Sequence, residues 1–212
     1  MRSTDAMSSS KNDTESRILD AAHTVFVRQG TRAASLKDIA QEADVNQALL
    51  HYYFRDKKTL ADTVFEQVAS EFIPQIQEAF VADQPLREKV ETIVHRYVEL
   101  IRENPYLPFY IVGELNQNPE EMKERIRSMG LAPFDNLNRL DEQLRKKAEA
   151  GEVRSISAEQ FVVNLLSLCI FPFIACPLIE TMFDMDDDAF EQFIDERKDT
   201  LPEIVMNSLR PC

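Results

Sequence analysis

Glycine scarcity is the feature that most narrows what this chain can fold into. Its 212 residues hold four glycines: Gly30, Gly113, Gly130 and Gly151. Sheets need closely spaced turn residues, and this chain does not supply them. The long glycine-free runs are rich in Leu, Glu, Lys, Gln and Ala, which form helix readily. An all-α fold follows. Hydrophobic residues make up 44% and charged residues 29%, a globular balance rather than a disordered one. The length suits one ordinary domain or two small ones, with enough chain for a real core.

Apolar spacing then places the elements. A first helix is expected over about 13–29, with Ile18, Ala22, Val25 and Phe26 on its buried stripe and Gly30 as its stop. A short helix follows over about 35–43. Ser35 caps its free N–H groups, and Asp38 stands where a capping box needs its partner. Asp44 and Val45 leave room only for a tight turn. Asn46 caps the next short helix, over about 47–53. Residues 1–12, polar and rich in Ser, read as a disordered tail without the apolar stretch of a signal peptide.

Two short helices joined this way form the DNA-reading helix-turn-helix, whose second helix enters the major groove. The stretch NQALLHYYF, residues 46–54, has the necessary two faces. Val45, Leu50 and Phe54 anchor it to neighbouring helices. Gln47, Ala48, His51 and Tyr52 fall on the other side. Glutamine pairs with adenine or phosphate, alanine lies against a thymine methyl, and histidine and tyrosine donate to phosphates. The same pattern also suits two packed helices of an ordinary all-helical protein.

Charge bears on the choice. The net charge is −13, which disfavours DNA binding by the chain as a whole. Its distribution is uneven, however. Residues 1–60 hold nine Lys/Arg and eight Asp/Glu, a net +1, so the remaining −14 lies after residue 60. A near-neutral head on an acidic body is the expectation.

The segment ILDAAHTVFVRQGTRAASLKDIAQEADVNQALLHYYFRDKKTL, residues 18–60, resembles the N-terminal domain of TetR-family transcriptional regulators. The pieces stand in the family's order and spacing: ILDAA with a following Phe and Gly, then SLKDIA, ADVNQALL and HYYF, then Lys and Leu. The resemblance covers about a fifth of the chain. The family usually has Gly where Asp44 stands, and often Tyr where His51 stands. It implies a three-helix DNA-binding domain over 13–58 and a helical effector-binding and dimerisation domain over 59–212. Ser35 and Lys37 would meet the DNA backbone, Gln47 and Ala48 the bases, and His51 and Tyr52 phosphates. Lys57 would hold a phosphate with the N-terminal dipole of the fourth helix. Asn46 would act as a cap, with or without a contact of its own.

Further helices are expected over about 56–80, from Pro85 to before Asn104, and over 106–116, 119–150, 157–180 and 187–209. The body would enclose a small-molecule effector. Aromatic residues and polar residues inside apolar runs are the pointers: His95, Phe109, Tyr110, Glu114, Phe134 and Asn164. Each taken singly is more often plain core. Phe161, Leu165, Leu168, Phe190, Phe193, Ile194, Leu201, Ile204 and Val205 repeat at helical spacing and would pair two copies as a four-helix bundle.

Other classes fit less well. Residues 161–179 are nearly long and apolar enough to span a bilayer. Pro172, Pro177, Asn164 and the flanking Glu159 and Glu180 argue instead for a buried helix and against a membrane partner. Asp184, Asp186 and Asp188 alternate as in a calcium loop, but Ala189 stands where Gly is needed and Asp195 where a Glu is needed. No metal, cofactor or catalytic constellation is expected, and the three cysteines form no disulfide framework. The expectation is therefore a cytoplasmic, homodimeric regulator without enzyme activity. It would repress from a palindromic operator on double-stranded DNA until an effector releases it. The alternative is a helical small-molecule-binding protein or enzyme without DNA function.

Overall fold

The structure is a computed structural model that describes residues 3–130 and 137–211, with side chains from Asp13 onward. The described residues form eleven helical segments joined by turns, with no strand among them. They form two compact units, Met1–Ser70 with Asn104–Tyr110, and Glu71–Glu103 with Ile111–Cys212.

The first unit opens with α1 (Ser3–Ala33), which breaks its helical backbone at Gly30, where φ is 74°. Only glycine adopts that conformation without cost. The helix begins ten residues ahead of the expected start, so the segment read as a tail is helical in its backbone. It contains no Gly or Pro, and a helix propagates cheaply once formed. Next come α2 (Leu36–Glu42) and α3 (Gln47–Tyr53). Ile18, Val25, Phe26, Ile39, Leu50 and Leu60 are buried at 0% exposure and make this unit's core. The α4 helix (Lys57–Val81) begins here and ends in the second unit.

Residues Asn104–Tyr110 also belong to the first unit, although sequence position groups them with the body. His23 Nε2 lies 2.7 Å from the buried Asn104 Oδ1, and Tyr106 packs on Phe26 with ring centroids 5.8 Å apart. Tyr110 donates to Asp62 on α4 and stacks on Phe65.

The second unit is built around α5 (Leu86–Glu103), α9 (Ala158–Ile174) and α11 (Asp187–Ser208). Val90, Ile93 and Val94 on α5 meet Phe161 and Leu165 on α9 and Ile194, Leu201 and Val205 on α11 in one apolar core. Burying side chains of this size contributes about 1.5–3 kcal/mol each. The remaining elements are α6 (Leu107–Gln117), α7 (Pro119–Ser128), α8 (Leu137–Glu149) and α10 (Cys176–Phe183).

Two expected helices are in fact pairs. The stretch 119–150 divides into α7 and α8, because Gly130 adopts φ 69° just beyond α7. The stretch 157–180 divides at Ala175, where α9 and α10 meet at a 69° bend. Pro177 lies in the first turn of α10, and a proline cannot donate the hydrogen bond that a continuous helix would require. Pro172 frees the Leu168 carbonyl inside α9, and Arg197 of α11 donates to that carbonyl at 3.0 Å. No single helix among the described residues is long and apolar enough to cross a membrane. Asp186 caps α11 by accepting from the Ala189 N–H at 2.9 Å, so the acidic run 184–188 prepares a helix start.

Candidate DNA interface and effector body

A seven-residue helix such as α3 is not stable alone, and tertiary ties must hold it. Asp44 provides the reversal before it with φ 51°, a backbone that Asp tolerates better than most residues. Val45 donates to the Ala40 carbonyl at 2.9 Å, and Arg17 on α1 reaches the Ala43 carbonyl at 2.7 Å. Asn46 Oδ1 accepts from the Leu49 N–H at 2.7 Å. Leu50 and Phe54 then bury the inner face.

That leaves an outward face of one polar–aromatic type. Asn46, Gln47, Ala48, His51 and Tyr52 are all exposed. Tyr52 is 70% exposed and stands perpendicular to Tyr53, with centroids 5.3 Å apart. His51 Nδ1 lies 3.3 Å from the Arg55 carbonyl. A helix that offers Gln, Ala, His and Tyr on a free face has the chemistry to meet base edges and phosphates.

The flanking positions differ in how free they are. Ser35 is committed to its cap. Its Oγ accepts from the Asp38 N–H at 3.2 Å, while its own N–H and hydroxyl donate to Asp38 Oδ2 at 3.1 and 2.6 Å. Those bonds hold the Asp38 carboxyl below its ordinary value. Lys37 is exposed. Lys57 is not the free phosphate ligand that its position suggests. It is partly buried, and its ammonium donates to the Arg32 carbonyl at 3.2 Å and the Ala34 carbonyl at 2.8 Å. The start of α4 is also occupied, since Asp56 accepts from the Thr59 N–H at 2.8 Å. A carboxylate already complements the dipole there. Arg55, exposed in the turn between α3 and α4, is a cation that sequence reasoning passed over. Its position directly after the HYYF stretch was the available signal.

The expected effector residues divide between the two units. Phe109 and Tyr110 belong to the first unit, and His95, Glu114 and Asn164 to the second. Phe109 is 55% exposed, His95 and Asn164 are exposed, and Tyr110 is buried with Asp62 as its partner. Glu114 is half-buried and accepts from Asn118 at 3.3 Å. Phe134 lies outside the described residues. His95 lines an open groove of about 570 Å³ together with Arg87, Arg96 and Glu203.

Of the expected dimer residues, Phe161, Leu165, Phe190, Ile194, Leu201 and Val205 are at most 5% exposed within the single chain. Leu168 and Phe193 are half-buried, and Ile204 is 47% exposed. The apolar side chains left outside are Val163 and Phe171 on α9 and Leu178, Met182 and Phe183 on α10.

Residues 18–64 match the family model described as bacterial regulatory proteins, tetR family, which covers α2, α3 and most of the first unit's core. Along more of the chain, the fatty acid metabolism regulator protein of Bacillus subtilis (strain 168) is 25% identical over 138 residues, 65% of this chain and 70% of that protein. The transcriptional regulator BetI of Agrobacterium fabrum is 25% identical over 182 residues, 82% of this chain and 87% of its own. Among solved structures, FadR from Bacillus subtilis in complex with stearoyl-CoA shares the fold with a TM-score of 0.61. It is 19% identical, with 92% of this chain and 98% of that one covered. A TetR/AcrR-family regulator from Thermobifida fusca does so with a TM-score of 0.63 at 16% identity, over 93% and 99% of the two chains. Residues 18–64 thus share the helix-turn-helix of the tetR family of bacterial regulatory proteins, with the polar face of its second helix exposed, and the relatives matched along more of the chain are named as regulators.

Proposed function

We propose that this regulator binds a palindromic operator as a homodimer and represses until a small-molecule effector releases it. The observation that carries the reading is the exposed face of α3. Gln47 and Ala48 would read bases, with His51, Tyr52, Lys37 and Arg55 on the backbone. Ser35 and Asn46 would serve through the caps that set α2 and α3. A two-fold pair of such heads spaced by about 34–36 Å matches successive major grooves.

The exposed apolar side chains of the second unit support the dimer. Val163 and Phe171 lie eight residues apart on α9, near one face of the helix, and Leu178 and Met182 four apart on α10. Exposed groups of this size mark interaction surfaces, and a second copy is the natural cover. For the effector, the Bacillus subtilis relative is named for fatty acid metabolism, and the solved FadR holds stearoyl-CoA. A long-chain acyl-CoA is the class we propose. It would act by binding more tightly to a conformation with poorly placed heads.

The test is fluorescence anisotropy with the DNA just upstream of the protein's own gene and a length-matched control, across a salt series. Stearoyl-CoA is then added to the bound complex. Tight, salt-dependent binding by two chains per site, lost on adding stearoyl-CoA, is the expected outcome. Binding with no preference over any palindrome-bearing genomic fragment would overturn operator recognition. Binding that persists at saturating stearoyl-CoA would overturn the effector class alone.

A further inference from the structure

The body carries one lysine that its surroundings do not complete. Lys89 on α5 is 2% exposed, and its ammonium donates to a single acceptor, the Phe80 carbonyl near the end of α4, at 2.9 Å. An ammonium has three N–H groups to place. Asp83 steadies the charge through space but forms no ion pair with it. Burial lowers the pKa of Lys89, as expected of a cation short of partners.

Lys89 opens onto a groove of about 500 Å³ between the α4–α5 turn and α8. Arg139, Lys146 and Lys147 line the same groove, against the carboxylates of Asp83 and Glu142. Four cations face two carboxylates in the lining, and Glu152 beside Lys147 is a third, which leaves an excess of one positive charge in a body that is otherwise acidic. The Lys146–Glu142 pair at 2.8 Å is exposed, and exposed pairs open at little cost, while Lys147 is half-buried and pairs with Glu152 at 2.5 Å. Gln143 adds a second unfinished group. Its Nε2 donates to the Gln84 carbonyl at 2.9 Å, and its Oε1 is buried without a donor. Burying an acceptor unbonded is costly.

We propose that this groove is a binding site for a phosphate ester that also carries a hydroxyl group. The phosphate would take the free N–H groups of Lys89 with Arg139 and Lys146, and the hydroxyl would donate to Gln143 Oε1. A phosphate monoester offers three strong acceptor oxygens, enough to meet Lys89, Arg139 and Lys146 together, where a carboxylate offers two. The volume falls within the roughly 300–1,000 Å³ of small-molecule sites, so the ligand is larger than bare phosphate. The site rests on its own cations and amide rather than on the acyl-CoA reading; coenzyme A also carries phosphate esters and hydroxyls, so ADP binding tests the groove alone and not the effector class.

The experiment is isothermal titration of the full-length protein with ADP, inorganic pyrophosphate and acetate. ADP should bind best, pyrophosphate less well, and acetate not at all. The double variant Arg139→Ala/Lys146→Ala, whose changes lie on the surface, should weaken ADP at least tenfold with an unchanged melting temperature. Gln143→Leu should weaken ADP while leaving pyrophosphate unchanged. Absence of ADP binding at millimolar concentration, equal binding of acetate, or full ADP affinity in the double variant would each overturn the site. Neither outcome depends on whether stearoyl-CoA releases DNA.

Discussion

Lys57 and Gln47 differ in what holds them: the Lys57 ammonium is bonded inside the fold, and the Gln47 amide is exposed. Removing each should therefore register in different measurements. Lys57→Ala loses two charged hydrogen bonds to the end of α1 and should lower stability by about 1.5–3 kcal/mol, read as a lowered midpoint in chemical denaturation. Gln47→Ala should leave that midpoint within about 0.5 kcal/mol, as expected of an exposed position. It should weaken the operator by about 1–3 kcal/mol while leaving random DNA bound as before. Equal loss on both DNAs would remove Gln47 from base reading. Asp38 has a pH signature. Its pKa is held below the ordinary 3.8 by the Ser35 bonds. A carboxyl with a depressed folded value stabilises above the unfolded value and loses that contribution as pH falls through the folded one. Asp38→Asn should flatten the acid side of the stability profile below about pH 4 and leave the slope at neutral pH unchanged. An unaltered acid limb would show that the capping box adds nothing there.

At the scale of elements, what the sequence made legible was local. Ser35, Asn46 and Asp186 cap their helices through bonds spanning three residues, and such bonds depend on nothing distant. The exposed face of α3 was legible too, because Leu50 and Phe54 fix which side turns inward. The breaks at Gly130 and Ala175 were harder to read. Helical periodicity continues across both, and it takes the left-handed backbone at one and the missing proline donor at the other to end the helix. The bonds of Lys57 were not legible, because its acceptors, the Arg32 and Ala34 carbonyls, lie more than twenty residues away. Asp44 offers a test of the turn itself. Its φ of 51° should make Asp44→Val cost about 1–2 kcal/mol, while Asp44→Gly should not destabilise. Similar midpoints for the two variants would mean that the turn relaxes and that its backbone does not constrain α3.

At the scale of the whole molecule, periodicity identifies apolar helix faces without saying what covers them. Leu165 and Phe171 are both apolar residues of α9, yet Leu165 is 0% exposed and Phe171 59% exposed. The first is covered by its own chain, and under the proposed dimer the second is covered by another. Two variants separate these roles. Leu165→Ala removes core volume and should cost about 2–5 kcal/mol, with the chain still paired at concentrations where it remains folded. Phe171→Glu places a carboxylate on the exposed face. It should leave the unfolding midpoint of the single chain nearly unchanged and shift sedimentation from dimer to monomer. A monomer presents one head at a time, so its affinity should fall on the palindrome far more than on an isolated half-site, because the second head no longer binds at high effective concentration. If Phe171→Glu remains dimeric while Leu165→Ala dissociates without unfolding, the interface lies where periodicity first placed it, and the exposed side chains of α9 and α10 serve some other contact.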